Sequence, residues 1–329
     1  MNYSVFKLRF SVPVHFGGDS ARSLEQAKPF FCADTLFSAL CHTAQLTGGD
    51  AAVERLCDAV ERGALLFSDG MPWREVDDKN GDWLYLPKPY LAPLQRAEVA
   101  PEDRKKVKAA KYIPASSYGA YLTSIAGGDY LDITQFSQHF GMQIDITKAS
   151  VLDREDAEPY FVGLYRFDSD CGIYFLMGWE DERLWEEVSR LLPVLGYSGI
   201  GGKVSSGYGT FEVYDSFDLD IGFDAGTEWL VESLSADHAP CQITLSSCIP
   251  ADDELEQAME EASYQLIRRG GFIHDLRDST QPHKKQTQCV FQSGSVFCHR
   301  FRGELSVVGH TRGHPVYRYN RPLWLGVSL

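Results

Sequence analysis

The chain has 329 residues, 44% hydrophobic and 23% charged, a size and composition that suit two folded domains rather than one core or a disordered polymer. No apolar run is long enough to span a bilayer, and the first residues alternate polar and apolar instead of forming the apolar core of a signal peptide, so a cytoplasmic location without membrane partners is expected. The net charge of −15 argues against nucleic acid until its distribution is read: Arg268 to Arg321 holds ten basic and three acidic residues, a net of +7, which leaves −22 for the rest.

In chain order, residues 3–12 predict a strand closed by Pro13. Residues 34–47 predict a helix with Asp34 as N-cap and Phe37, Leu40, Cys41 and Ala44 at helical spacing. A second helix is expected over 50–62, ended by Gly63, and then a short strand from Ala64 to Phe67. Residues 68–150 show no sustained period and read as an insertion. It contains WLYLPKPYL and a basic run, Arg104 to Lys111, on an expected helix.

Residues 159–167 and 171–179, parted by Asp168-Ser169-Asp170, read as a hairpin. Glu182–Leu195 predicts an amphipathic helix with Leu184, Val188, Leu191, Leu192 and Leu195 inward. A glycine-rich loop follows at 196–209, then a strand over 210–215. The acidic stretch after it reads as a linker, placed at 216–239. Beyond it, a strand is expected over 242–249, a helix over Asp252–Arg268, and strands at 287–297, 304–309 and 323–328. Strand, helix and strands recur in both halves. The expected fold class is therefore α+β, with two ferredoxin-like (RRM-type) domains at 1–215 and 240–329.

The glycine-rich loop GYSGIGGKVSSGYG is the sharpest functional signal. It is not a P-loop, because Gly201 is followed by Gly202, and Lys203 by Val204. It is not a dinucleotide fingerprint, because it leads from a helix into a strand. Gly199, Gly201, Gly202 and Gly207 free the backbone for close approach, while Lys203, Ser205 and Ser206 offer donors to phosphates and Tyr208 a face for a base. The bland alternative is a mobile turn. His15, beside Gly17-Gly18, is either a general base for RNA cleavage or, as lone histidines more often are, a structural or contact residue. Arg312 and Arg318, in the tail GHTRGHPVYRYNRPLW, are candidate phosphate contacts, though that segment reads equally well as a core strand with a basic face.

No paired-carboxylate, H-E-x-x-H or G-x-S-x-G motif appears, and none of the eight cysteines forms C-x-x-C. No catalytic residue, metal or cofactor is therefore expected, and the cysteines are read as buried hydrophobes.

Five pieces, in order along the chain, carry a family resemblance. They are His15-Phe16-Gly17 with Asp34–Leu40; Leu86-Pro-Lys-Pro89; Lys111-Tyr-Ile-Pro114 with Tyr121-Leu122; the loop Gly199–Gly209; and Gly294–Phe297 with His314–Tyr319. Together they resemble the fourth-subunit family of type III-A CRISPR (Csm) effector complexes, within the RAMP superfamily. Val204 departs from a second basic residue common there, and Asn320 from a glycine. The resemblance implies two RRM-like domains, binding of the 5′ tag of CRISPR RNA, no nuclease activity, and a thumb-like role for the 68–150 insertion. It also implies two protein partners, the large polymerase-like subunit and a backbone subunit of the filament. Two rival readings share the residues: a metal-independent endoribonuclease of precursor RNA using His15, and an assembly protein that touches no RNA.

Overall fold

The computed structural model describes residues 1–17, 24–76, 82–92, 102–150, 158–219, 225–273, 283–311 and 314–328. The first half runs β1 (Asn2–Arg9), β2 (Phe16–Gly17), β3 (Ala27–Lys28), α1 (Ala33–Gly48), α2 (Asp50–Glu61), β4 (Leu65–Phe67), β5 (Met71–Arg74), β6 (Trp83–Pro87), α3 (Arg104–Ala109), β7 (Tyr112–Pro114) and α4 (Ala115–Ile125). It continues through β8 (Gly141–Ser150), β9 (Glu158–Phe167), β10 (Cys171–Trp179), α5 (Glu182–Ser198) and β11 (Glu212–Asp218). Then come α6 (Ala225–Ser235), β12 (Cys241–Thr244), α7 (Leu255–Ala258), β13 (Leu266–Arg269), β14 (Gln288–Phe291), β15 (Val296–Phe297), β16 (Leu305–Thr311), β17 (His314–Tyr319) and β18 (Trp324–Val327).

The architecture is mixed α and β, with antiparallel sheets throughout. The main sheet has the order β11-β1-β10-β5-β6-β7, with β4 also on β10. Its central strand is apolar without interruption: Ile173 to Met177 are all at 0% exposure. Such a run fits a strand covered on both faces. Helix α5 buries Val188, Leu191, Leu192 and Leu195 as its 3.6-residue period requires. In the second half β12 lies between β15 and β18, beside the hairpins β13-β14 and β16-β17. No described helix is long and apolar enough to cross a membrane.

Both halves share one core, which runs from Val5 and Phe175 to Ile243, Tyr319 and Val327. The Tyr319 ring packs in a triangle with those of Phe37 and Phe67, at 5.5 and 6.0 Å, and its hydroxyl accepts the Phe67 amide at 2.8 Å. Beside it, the buried Asp69 carboxylate accepts the Ala33 amide at 2.8 Å and, from the other half, the Ser247 amide at 2.9 Å and hydroxyl at 2.7 Å. Three donors offset the cost of taking that charge out of water, and burial still pushes its pKa up.

Several expectations are corrected. Residues 159–167 and 171–179 do not pair: β9 pairs with β8, while β10 enters the main sheet beside β1, β4 and β5. Alternation along a strand fixes its faces but not its neighbour. The 68–150 stretch is not a separate insertion, since β5, β6 and β7 extend the main sheet. The expected linker carries the end of β11 and helix α6. The helix expected over Asp252–Arg268 shrinks to Leu255–Ala258; Glu261 has φ +50°, which no α-helix accommodates, and Leu266–Arg269 pairs as a strand. Asp34 is not the N-cap of α1. Cys32 holds that position, Asp69 supplies the capping carboxylate, and Asp34 turns to Arg269.

Candidate nucleic-acid interface

The glycine-rich loop begins where α5 stops, with Gly199 at φ +84° and its amide on the Leu195 carbonyl at 2.7 Å. Ile200, at 1% exposure, pins the loop to the core. The loop then closes on itself, Ile200 N–H donating to the Gly209 carbonyl at 2.9 Å. It also lies along residues 13–16: Gly202 N–H donates to the His15 carbonyl at 2.8 Å, and Gly209 N–H to the Pro13 carbonyl at 3.0 Å.

This packing explains the glycines. A Cβ on Gly201 would stand 2.7 Å from the His15 carbonyl oxygen, and one on Gly202 2.6 Å from the His15 ring. On Gly209 it would lie 2.2 Å from the Ile200 carbonyl. Close approach by the protein's own backbone at Gly201 and Gly209, and by the His15 ring at Gly202, therefore requires them, whereas Gly207 faces open space. The reading of the glycines as room for a ligand's phosphate is thereby narrowed to the turn around Gly207.

What the loop offers is its crest. Lys203 adopts left-handed φ +63°, and Val204–Ser206 form one 3-10 turn. The amides of Ser206 and Gly207 are taken by Lys203 and Val204 carbonyls. Those of Lys203, Val204 and Ser205 have no acceptor among the described residues, so three successive N–H groups stand at an exposed turn. A left-handed residue followed by right-handed ones forms the concave nest that binds anions.

Sequence reasoning missed the other wall of this site. The strand pair β8-β9 reaches the crest from the opposite side of residues 13–17, joined through reciprocal Val14–Tyr165 backbone bonds of 2.8 Å. Lys148 on β8 donates to Ser206 Oγ at 2.8 Å and lies 5.2 Å from the centre of the Tyr208 ring. Lys203 answers from the loop, 5.3 Å from the centre of the Tyr160 ring on β9. Two ammonium groups, two aromatic rings and three free amides thus meet in one place, the combination suited to single-stranded nucleic acid. The signal available was the alternation over 144–148, which puts Lys148 on the opposite strand face from Asp145 and Thr147.

His15 is at 6% exposure, with Nδ1 2.7 Å from the Gly163 carbonyl. A carbonyl only accepts, so Nδ1 carries a proton and donates it there, and the ring is a strut between the loop and strand β9. Arg318 is corrected. It is at 2% exposure, and its guanidinium is spent on the Gln286 and Gly270 carbonyls, Gln288 and, at 3.5 Å, Asp34. Arg312 lies outside the described residues. The expected polyanion face of the basic segment is likewise reduced. Arg269 is committed to Asp34, Arg300 to Asp237, Arg302 to Glu254 and Arg321 to the Gly303 carbonyl. Among the described residues, one group brings three possible metal-ligating atoms together, Asp168, Asp170 and Cys171, and there Arg74 Nη1 contacts the Asp170 carboxylate at 2.6 Å.

The family model for the CRISPR Csm4 C-terminal domain matches residues 237–327. A Mycobacterium tuberculosis (strain ATCC 25618 / H37Rv) relative named CRISPR system Cms protein Csm4 is 31% identical over 99% of this chain and 98% of its own length. A Streptococcus thermophilus relative of the same name is 27% identical over 100% of both chains. Among solved structures, a Csm1–Csm4 cassette in complex with cA4 superposes with TM-score 0.62 at 21% identity over 100% of this chain and 99% of the other. A Csm3–Csm4 subcomplex from a type III-A CRISPR-Cas interference complex gives 0.61 at 17% identity over 99% of each. The fold is the one these chains share.

Proposed function

The chain belongs to the Csm4 family, and from that premise we propose that it is the RNA-holding subunit of a type III-A CRISPR effector complex, without catalysis of its own. The relatives' structures pair such a chain with Csm1 in one case and Csm3 in another. We read the same two contacts here, a large subunit on one side and the backbone filament on the other. Both halves are read as ferredoxin-like domains, over 1–215 and 240–329. Support in the first comes from the order β11-β1-β10-β5, with α1 following β1 and α5 joining β10 to β11. In the second, β12, α7 and β13 repeat the strand–helix–strand opening.

The observation that carries the RNA role is the crest of the glycine-rich loop. The free amides of Lys203, Val204 and Ser205 suit one phosphate of the guide's 5′ tag. Lys203 and Lys148 neutralise its neighbours, and Tyr208 or Tyr160 stacks a base. His15, Gly199, Gly201 and Gly202 hold this crest in place, and Ser206 and Gly207 complete it. The strut role of His15, with Nδ1 occupied, favours support over proton transfer. Purified protein tested by filter binding should retain guide RNA that carries the tag, lose affinity when the tag is removed, and give no cleavage products. Tag-independent binding, or site-specific cleavage that disappears in His15→Ala, would overturn this reading.

A further inference from the structure

A groove of about 490 Å³ lies between α1 and α2 on one side and the β16-β17 hairpin on the other. Its floor is apolar, from Cys41, Val53, Cys57, Leu305, Val316 and Tyr317. Along its α2 wall stand Glu54, Asp58 and Glu61, spaced four and three residues apart and so aligned on one helix face. All three are exposed, and none of their carboxylates has an ion-pair or hydrogen-bond partner among the described residues; the cation at the end of α2, Arg62, is turned to the Asp58 backbone carbonyl at 3.2 Å. Lys285 also lines the groove; it makes no ion pair or side-chain hydrogen bond among the described residues, and burial pulls its pKa down against the attraction of Asp34.

We propose that this groove is a docking site for a basic amphipathic helix of a protein partner, whose Lys and Arg side chains run along Glu54, Asp58 and Glu61 while its apolar face enters the floor. The inference goes beyond the RNA-holding role and rests on the reading of the chain as a subunit of a larger complex. Three unpaired carboxylates in a row are repelled by phosphates and attracted by ammonium and guanidinium groups, so the groove selects against nucleic acid. An apolar trough beside a charged ridge matches the two faces of an amphipathic helix. Lys285 suits the free carbonyls at that helix's C-terminal end, which carry partial negative charge. The arrangement also gives the acidic chain a division of labour: anions meet the loop crest, and cations meet α2.

The test uses the complex assembled from this chain, its partner subunits and guide RNA, with a photo-cross-linking benzoylphenylalanine in place of Ser38 on the groove wall. The expected product is a protein–protein cross-link to one segment bearing Lys or Arg. The triple variant Glu54→Lys, Asp58→Lys, Glu61→Lys should then bind that partner about tenfold more weakly at low salt, with a flattened salt dependence. Its melting temperature and affinity for guide RNA should be unchanged, and acidic replacements in the cross-linked segment should restore pairing. A cross-link to RNA, no cross-link, or wild-type affinity of the triple variant overturns the groove proposal while leaving the RNA role standing. A wild-type chain that never enters the complex removes the subunit reading, and this proposal with it.

Discussion

Lys148 holds its ammonium 5.2 Å from the centre of the Tyr208 ring, so that two residues sixty positions apart form one face of the loop crest. Lys148→Ala should weaken guide-RNA binding about tenfold, the loss expected for one charge-assisted hydrogen bond. Its log–log salt slope should fall by about 0.7, as for one phosphate contact on a single strand. Filter binding across a salt series reads both quantities. An unchanged slope would mean that Lys148 only braces Ser206 and Tyr208.

The glycines separate structure from contact. Gly201→Val and Gly202→Val place β-carbons against the His15 carbonyl and ring, at 2.7 and 2.6 Å, and Gly201 also sits at φ +99°. The pair should destabilise the fold, by about 1–3 kcal/mol for backbone strain at Gly201 and a similar amount for overpacking against the His15 ring at Gly202, seen as a lower urea midpoint. Gly207→Ala meets open space and bears only its left-handed φ of +81°, at about 1 kcal/mol. It should fold, and any RNA affinity it loses reports on the crest itself.

Arg318→Ala should act on stability and leave RNA alone. The substitution removes a buried guanidinium and strands the carbonyls of Gln286 and Gly270. A loss of about 3 kcal/mol is expected, as when one partner of a buried ionic network is deleted. Denaturant unfolding measures that cost. A salt slope of binding that drops while stability holds would instead return Arg318 to the RNA surface.

Asp69 links pH to folding. Burial raises its folded pKa above the unfolded value, so the native state binds the proton more tightly. Its contribution is therefore most favourable below the unfolded pKa and declines as pH rises through the folded one. Asp69→Asn keeps acceptors for the Ala33 and Ser247 amides without the charge. The stability of wild type relative to this variant should fall as pH increases from about 4 to 7. A relative stability that rises over that range would mean the three hydrogen bonds outweigh desolvation.

Periodic elements were legible before any coordinates. Helices α1, α2 and α5, the buried run of β10 and the short β4 follow from spacing alone. Pairing was not, because the alternation of β9 is satisfied equally by β8 or β10, and only the tertiary fold chooses. The acidic stretch after Asp215 hid helix α6, because the acids of 215–224 lead into it and two of its buried positions, Thr227 and Ser233, are polar, leaving Leu230, Val231 and Leu234 as its buried apolar residues. At the candidate site, Lys203 and its neighbours stood out by glycine content. Lys148 and Tyr160 did not, since nothing local ties a strand residue to a loop sixty positions away. The arginines misled for the opposite reason: composition counts charge, and cannot tell that Arg269 and Arg318 share Asp34.

The contact of Tyr319 with Phe37 and Phe67 joins the last strands to be synthesised to the first helix of the chain. The loop crest, β1 and α5 are synthesised well before β16 to β18, yet the apolar faces of α1 and β4 wait for Tyr319 to cover them. Until those late strands emerge, the nascent first half carries an open aromatic surface of the kind that chaperones hold. A chain arrested before residue 319 would therefore hold the residues of the glycine-rich loop but lack the side chain that covers Phe37 and Phe67.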